Sequence, residues 1–214
     1  MAKGEAAMRG YPWLLFVVMG FVSACATFQA SSNVQSGRLA FSVGNYQTAR
    51  SYFENAAQVD PNYVYRSDLP GGSIQSYLGQ VDYVTERYAQ ARGELERALS
   101  IDKNDNVARL YLGLTLARTG DRENGLKEIQ SAMQGLYDWI MYVQEHFRYS
   151  YGQFWDMNGT IRSAIQADLA IIASKQIDWP KLLADGEWLG TKMDEEIDIA
   201  RKSAQIWWQS KIRD

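Results

Sequence analysis

The chain offers one cysteine and one histidine in 214 residues. A lone Cys cannot form an intramolecular disulfide framework. With a lone His beside it, neither a Cys/His zinc site nor a Cys–His–Asp nucleophile constellation can be assembled. Positive charge is not in excess: 22 Lys and Arg stand against 25 Asp and Glu, a net charge of −3. No global basic field therefore favours nucleic acid, and none is expected as a partner. There is no phosphate loop, no Gly-x-Ser-x-Gly and no His-Glu-x-x-His. No alternating strand pattern of any length occurs, so the fold class is all-α. What remains is 46% hydrophobic and 22% charged, an ordinary globular composition that excludes a disordered or collagen-like chain.

Lys3 and Arg9 form a short positive start, and Tyr11 to Phe21 is apolar without a charge. A spanning helix needs about 20 apolar residues, whereas the apolar region of a secretory signal needs about 7–15. The stretch ends in Val22-Ser23-Ala24-Cys25, small residues before the chain's one thiol. This resembles the lipobox of bacterial lipoproteins. The resemblance implies cleavage before Cys25, acylation of its thiol, and, with Ala26 following, delivery to the periplasmic face of the outer membrane. Residues 1–24 are then a signal peptide and 25–30 a lipidated tether. Cleavage removes Lys3, Glu5 and Arg9 and leaves 20 basic against 24 acidic residues. Such a surface gives no overall attraction to anionic headgroups, so the acyl chains are expected to hold the protein there.

Three segments then repeat. Gly37, Gly79 and Gly113 fall on first helices, and Ala49, Ala91 and Gly125 on second helices. Phe53, Leu95 and Ile129 follow one turn later, then Ala56, Ala98 and Ala132. Gly79 to Gly113 and Ala91 to Gly125 are both 34 residues, and Gly37 to Gly79 is 42. Small residues suit close helix crossings, and Gly44 and Gly120 suit helix ends. The pattern resembles the tetratricopeptide repeat. Asp82 at a usually aromatic position, Glu86 in place of the turn Gly and Lys103 in place of Pro depart from it. The resemblance implies a short α-solenoid of three helix-turn-helix repeats over residues 31–139. Residues 63–72 are an exposed insertion in it, tolerant of deletion over Arg66–Gly71.

Residues 140–214 read as a C-terminal helical cap. Leu136, Ile140, Val143 and Phe147 share one helical face, and Ile161, Ile165, Leu169 and Ile172 share another. Gly186 is expected to interrupt a short helix that begins at Asp178-Trp179-Pro180. Beyond it, Leu189, Met193, Ile197, Ala200, Ala204 and Trp207 line one side of a long last helix. The acidic run Asp194-Glu195-Glu196 with Asp198 is expected to be its wet side. Lys192–Glu196 and Asp198–Lys202 are the expected pairs there.

Chemistry is sparse. His146 has no motif to orient it, and Asp156 and Asp168 carry no mark that pairs them. The aromatics from Tyr137 to Trp155 read as packing, with a stacked sugar or peptide as the other use. No enzyme, metal or cofactor is expected. The resemblance implies an adaptor or scaffold that binds a protein partner in its concave groove. By repeat position the groove candidates are Arg38, Phe41, Gln80, Tyr83, Leu114 and Arg118. They are expected to face solvent in the free protein. The alternative is a ligand-binding or hydrolytic C-terminal domain with the repeats as a docking handle.

Overall fold

In a computed structural model, residues 12–65 and 72–213 are described, with the side chains of residues 12–26, 201, 212 and 213 outside that description. Eight α-helices follow in order: α1 (Pro12–Ser42), α2 (Tyr46–Val59), α3 (Ile74–Val84), α4 (Tyr88–Ile101), α5 (Asn106–Arg118), α6 (Arg122–His146), α7 (Thr160–Ser174) and α8 (Trp179–Arg213). A 3-10 turn at Tyr151–Phe154 precedes α7, and no strand occurs among the described residues. The all-α reading holds.

Three helix pairs stack: α1 with α2, α3 with α4, α5 with α6. Their turns are the same turn. Gly44, Glu86 and Gly120 all take positive φ, at 76°, 60° and 99°. In each, the next amide donates five residues back: Asn45 N to Ala40 O, Arg87 N to Asp82 O and Asp121 N to Leu116 O, at 2.8–2.9 Å. That is the Schellman closure, which satisfies carbonyls a helix end leaves open. Asn45 and Asp121 then cap the following helix, accepting from Thr48 N and Asn124 N. Inside the hairpins the repeat residues do what their spacing asks. Ala49, Ala91, Phe53, Leu95, Ile129, Ala56, Ala98 and Ala132 are all buried. A Cβ on Gly113 would stand 2.7 Å from the backbone nitrogen of Ile129, so α5 and α6 touch backbone to backbone.

Three boundaries differ from expectation. Residues 25–30 lie within α1, so the expected tether is helical and rises about 1.5 Å per residue. α6 runs unbroken through residue 139, and the expected junction of stack and cap falls inside a helix. α8 also runs unbroken through Gly186, about 52 Å in all. Within the 63–72 insertion, Arg66–Gly71 lie outside the described residues. Its ends are packed rather than free. Val64 and Ser73 form a β-bridge, Tyr65 N donates to Gly72 O at 3.1 Å, and Tyr65 is buried.

One hydrophobic core joins repeats two and three to α7 and α8, from Leu95, Tyr111 and Ile129 to Ile165, Leu189 and Ile197. A second cluster holds repeat one against α3, with the Phe53 and Tyr77 rings stacked at 5.1 Å. Residues 140–214 share this one core with α5 and α6 and show no separate cluster among the described residues.

Candidate functional site

The inner face of α1, α3 and α5 is occupied by α8. Following α8 from its start, Gly186 meets Leu114, and Glu187 reaches Tyr83 and Arg118. Gly190 then meets Tyr111, and Asp194 and Asp198 reach Arg38. A Cβ on Gly186 would stand 2.8 Å from Leu114 Cδ2, and one on Gly190 would stand 2.7 Å from the Tyr111 ring and hydroxyl. Two glycines one turn apart let α8 sink into the groove. Their i,i+4 spacing is the sequence signal for close approach, but a Gly between helical segments reads first as a break.

The solvent-facing expectation for the groove residues is therefore corrected. Arg38, Gln80, Tyr83 and Leu114 are all buried, at 5%, 4%, 4% and 0% exposure. Phe41 is half-buried against the Tyr46 ring at 5.4 Å, and only Arg118 keeps an exposed side.

Polar groups fix the register of α8. The Tyr83 hydroxyl donates to Glu187 Oε1 at 2.5 Å. Arg118 donates to the same oxygen at 2.7 Å and to the Tyr83 hydroxyl at 3.3 Å. Burial holds the Tyr83 phenol above its ordinary pKa, so it remains a donor. Arg38 donates through Nε to Asp194 Oδ1 and through Nη2 to Asp194 O, both at 3.1 Å, and to Asp198 Oδ1 at 3.3 Å. Burial raises the Asp194 carboxyl, and Arg38 opposes that rise.

The acidic run is accordingly a wet side only in part. Asp194 and Asp198 pair with Arg38, and Glu196 accepts from Asp156 N at 3.2 Å. Glu195 and Asp198 are the exposed members, and Glu195 pairs with Lys192, the partner expected for Glu196. Asp82, the odd residue of repeat two, is fully buried and pairs with Arg50 of α2 and with Arg87 at 2.9 Å. A carboxylate thus joins two repeats where the family places an aromatic.

The sparse chemistry does not converge. His146 is exposed, stacks on Tyr142 at 4.2 Å, and has Nδ1 3.0 Å from Tyr142 O at the end of α6. Asp156 accepts from Ile161 N at 2.8 Å, from Arg162 N at 3.1 Å and from Arg162 Nε at 2.9 Å, so it caps α7. Asp168 lies apart, buried and facing Asp185 and Lys181 of α8, with its pKa pushed up to about 6 by burial and then by Asp185. In the aromatic segment, Trp155 is fully buried edge-on to Trp139 at 4.6 Å, a packing role. Among the described residues, no group of three His, Cys, Asp or Glu is placed to hold a metal ion.

One open part of the groove survives beside α8. It is a cleft of about 290 Å3 lined by Tyr83, Val84, Tyr88, Arg118, Glu187 and Thr191. A wider polar cleft of about 640 Å3 lies between the start of α5 and α6, around Asn104, Arg109, Lys127 and Gln134.

No family model matches the chain. Over 71 residues, a third of its length, it is 27% identical to tetratricopeptide repeat protein 13 of Homo sapiens. The chain spans 8% of the length of that relative. The chain is an all-helical protein of stacked helix pairs joined by one kind of turn, with a weak likeness to a tetratricopeptide repeat protein over that third.

Proposed function

We propose that this protein is a lipid-anchored adaptor of the bacterial periplasm. Acyl chains on Cys25 hold it to the outer membrane, and its helical repeats bind a protein partner. It serves an envelope assembly, secretion or pilus-type role and has no catalytic activity of its own. The observation that carries the reading is the stack itself: three helix pairs joined by the same turn, built around packing rather than around a reactive centre. The Val22-Ser23-Ala24-Cys25 sequence supports the anchor. The partner's place is the cleft beside α8. There Tyr83, Tyr88 and Arg118 offer the aromatic and guanidinium surface that dominates binding hot spots.

Two measurements test this. Cys25→Ser is expected to release the protein from the outer-membrane fraction or leave it unprocessed, and mass spectrometry of wild type is expected to show an acylated Cys25. Wild-type fractionation of Cys25→Ser ends the anchor reading. Crosslinking in intact envelopes is expected to recover a partner from wild type and to lose it with Tyr88→Ala and Arg118→Glu together. Equal recovery from that variant moves the partner to another face.

A further inference from the structure

Past the groove, α8 runs on with Ile206 and Trp208 exposed. Its buried row Leu189, Met193, Ile197 and Ala200 continues at the same spacing as Ala204 and Trp207, with Trp208 beside it. Trp208 is 53% exposed and Ile206 67%. The two indole rings meet edge to face at 5.0 Å, and Lys211 Nζ lies 4.6 Å from the Trp207 ring centre. The sequence from 201 to 214 holds Arg201, Lys202, Lys211 and Arg213 against Asp214 alone, within a chain of net charge −3. Charge is therefore segregated to this end, which the total conceals.

Direction matters as much as charge. Along α8, contacts move from Arg118 and Leu114 to Tyr111 on α5, then reach Arg38 on α1. α8 thus runs against the first helices and leaves the body on the side toward which α1 runs back to its start. Residues 198–213 extend about 22 Å beyond the last Arg38 contact, and Cys25 lies about 20 Å back along α1 from Arg38.

We propose that the last stretch of α8, residues 201–213, docks on an anionic phospholipid surface. Trp207 and Trp208 sit at headgroup depth, and Lys211, which lies on the Trp207 side of the helix, faces the phosphates. Indole rings favour the interface because they are amphipathic, and lysines beside them gain from the negative surface potential. Two such ends brought together would repel, which favours lipid over a second copy as the occupant. The contact needs no acyl chain, so it stands or falls apart from acylation of Cys25.

The single cysteine makes the test local. The full chain with Cys25→Ser and Ser210→Cys carries one thiol for an environment-sensitive fluorophore, and Ser131→Cys in the same background serves as control. Phosphatidylcholine vesicles containing phosphatidylglycerol are expected to shift the label at 210 to an apolar environment. The label at 131 should stay aqueous, pure phosphatidylcholine should act more weakly, and added salt should reverse the shift. Trp207→Ser with Trp208→Ser, and separately Lys211→Glu, are expected to weaken the anionic-vesicle response about tenfold or more. A label at 210 that stays aqueous, or a response unchanged in both variants, overturns the proposal. So does a shift without vesicles that grows with protein concentration alongside a dimer mass, since that identifies a second copy as the cover.

Discussion

Glu86 occupies the position of a repeat turn that Gly44 and Gly120 fill in the other two pairs, and it holds φ at 60°. A residue with a Cβ pays about 1–2 kcal/mol in that region, and glycine returns part of the gain through its unfolded entropy. Glu86 is exposed and makes no contact that the turn needs. Glu86→Gly is expected to stabilise the fold by about 0.5–1 kcal/mol, read as a higher urea midpoint at unchanged slope. Arg38 is the opposite case. Its removal leaves Asp194 buried without its cation. Arg38→Ala is expected to cost about 3–5 kcal/mol in chemical denaturation, with part of the loss recovered when Asp194→Ala is added. The inner-face position was legible from repeat spacing. The burial was not, because it depends on carboxylates 156 and 160 residues away in sequence.

Among the elements, α7 and α8 meet through a pair of carboxyls. Asp168, on α7, has a folded pKa of about 6 because burial and then Asp185 disfavour its charge, and Lys181 only partly compensates. Asp105, at the start of α5, is also raised to about 6 by burial, against the hydrogen bond from Ala108 N. A carboxyl whose folded pKa exceeds its unfolded value binds its proton more tightly in the native state. Its contribution is greatest below the ordinary carboxyl range and is lost as pH rises through about 6. These two groups therefore make stability fall between about pH 4 and pH 6. Denaturation midpoints across that range are expected to flatten in Asp168→Asn, and an unchanged profile would show that Asp168 does not titrate there. Nothing in the 3.6-residue pattern marks Asp168, since its spacing places it on α7 and leaves open which charge α8 brings opposite.

For the molecule as a whole, α8 is what closes the stack. Leu182, Leu183, Leu189, Met193, Ile197 and Ala200 are buried against the repeats, and each large apolar side chain contributes about 1.5–3 kcal/mol before entropy. Truncation after Asp178 is expected to destabilise the entire chain and drive it to aggregate, as an uncapped solenoid end does. Ile197→Asp is expected to lower the melting temperature nearly as far, and Glu195→Ala to leave it unmoved. The fragment 25–139 also tests how the core is shared. If it melts cooperatively near the full-length temperature, the repeats do not need α8.

Local periodicity determined much of this protein. The positions of small and large residues placed the helix pairs, their crossings and the core residues Phe53, Leu95 and Ile129, because those depend on contacts within one hairpin. Even the exception at Glu86 was visible as a turn position lacking its glycine. Tertiary structure decided what fills the groove. Gly186 is compatible with a helix break or with a close approach, and the acidic run with solvent or with a buried arginine. Only the arrival of α8 across α5, α3 and α1 chose between them, through Leu114, Tyr83 and Arg38. An amphipathic pattern states that a face must be covered, and the surface that covers it is set by the path of the whole chain.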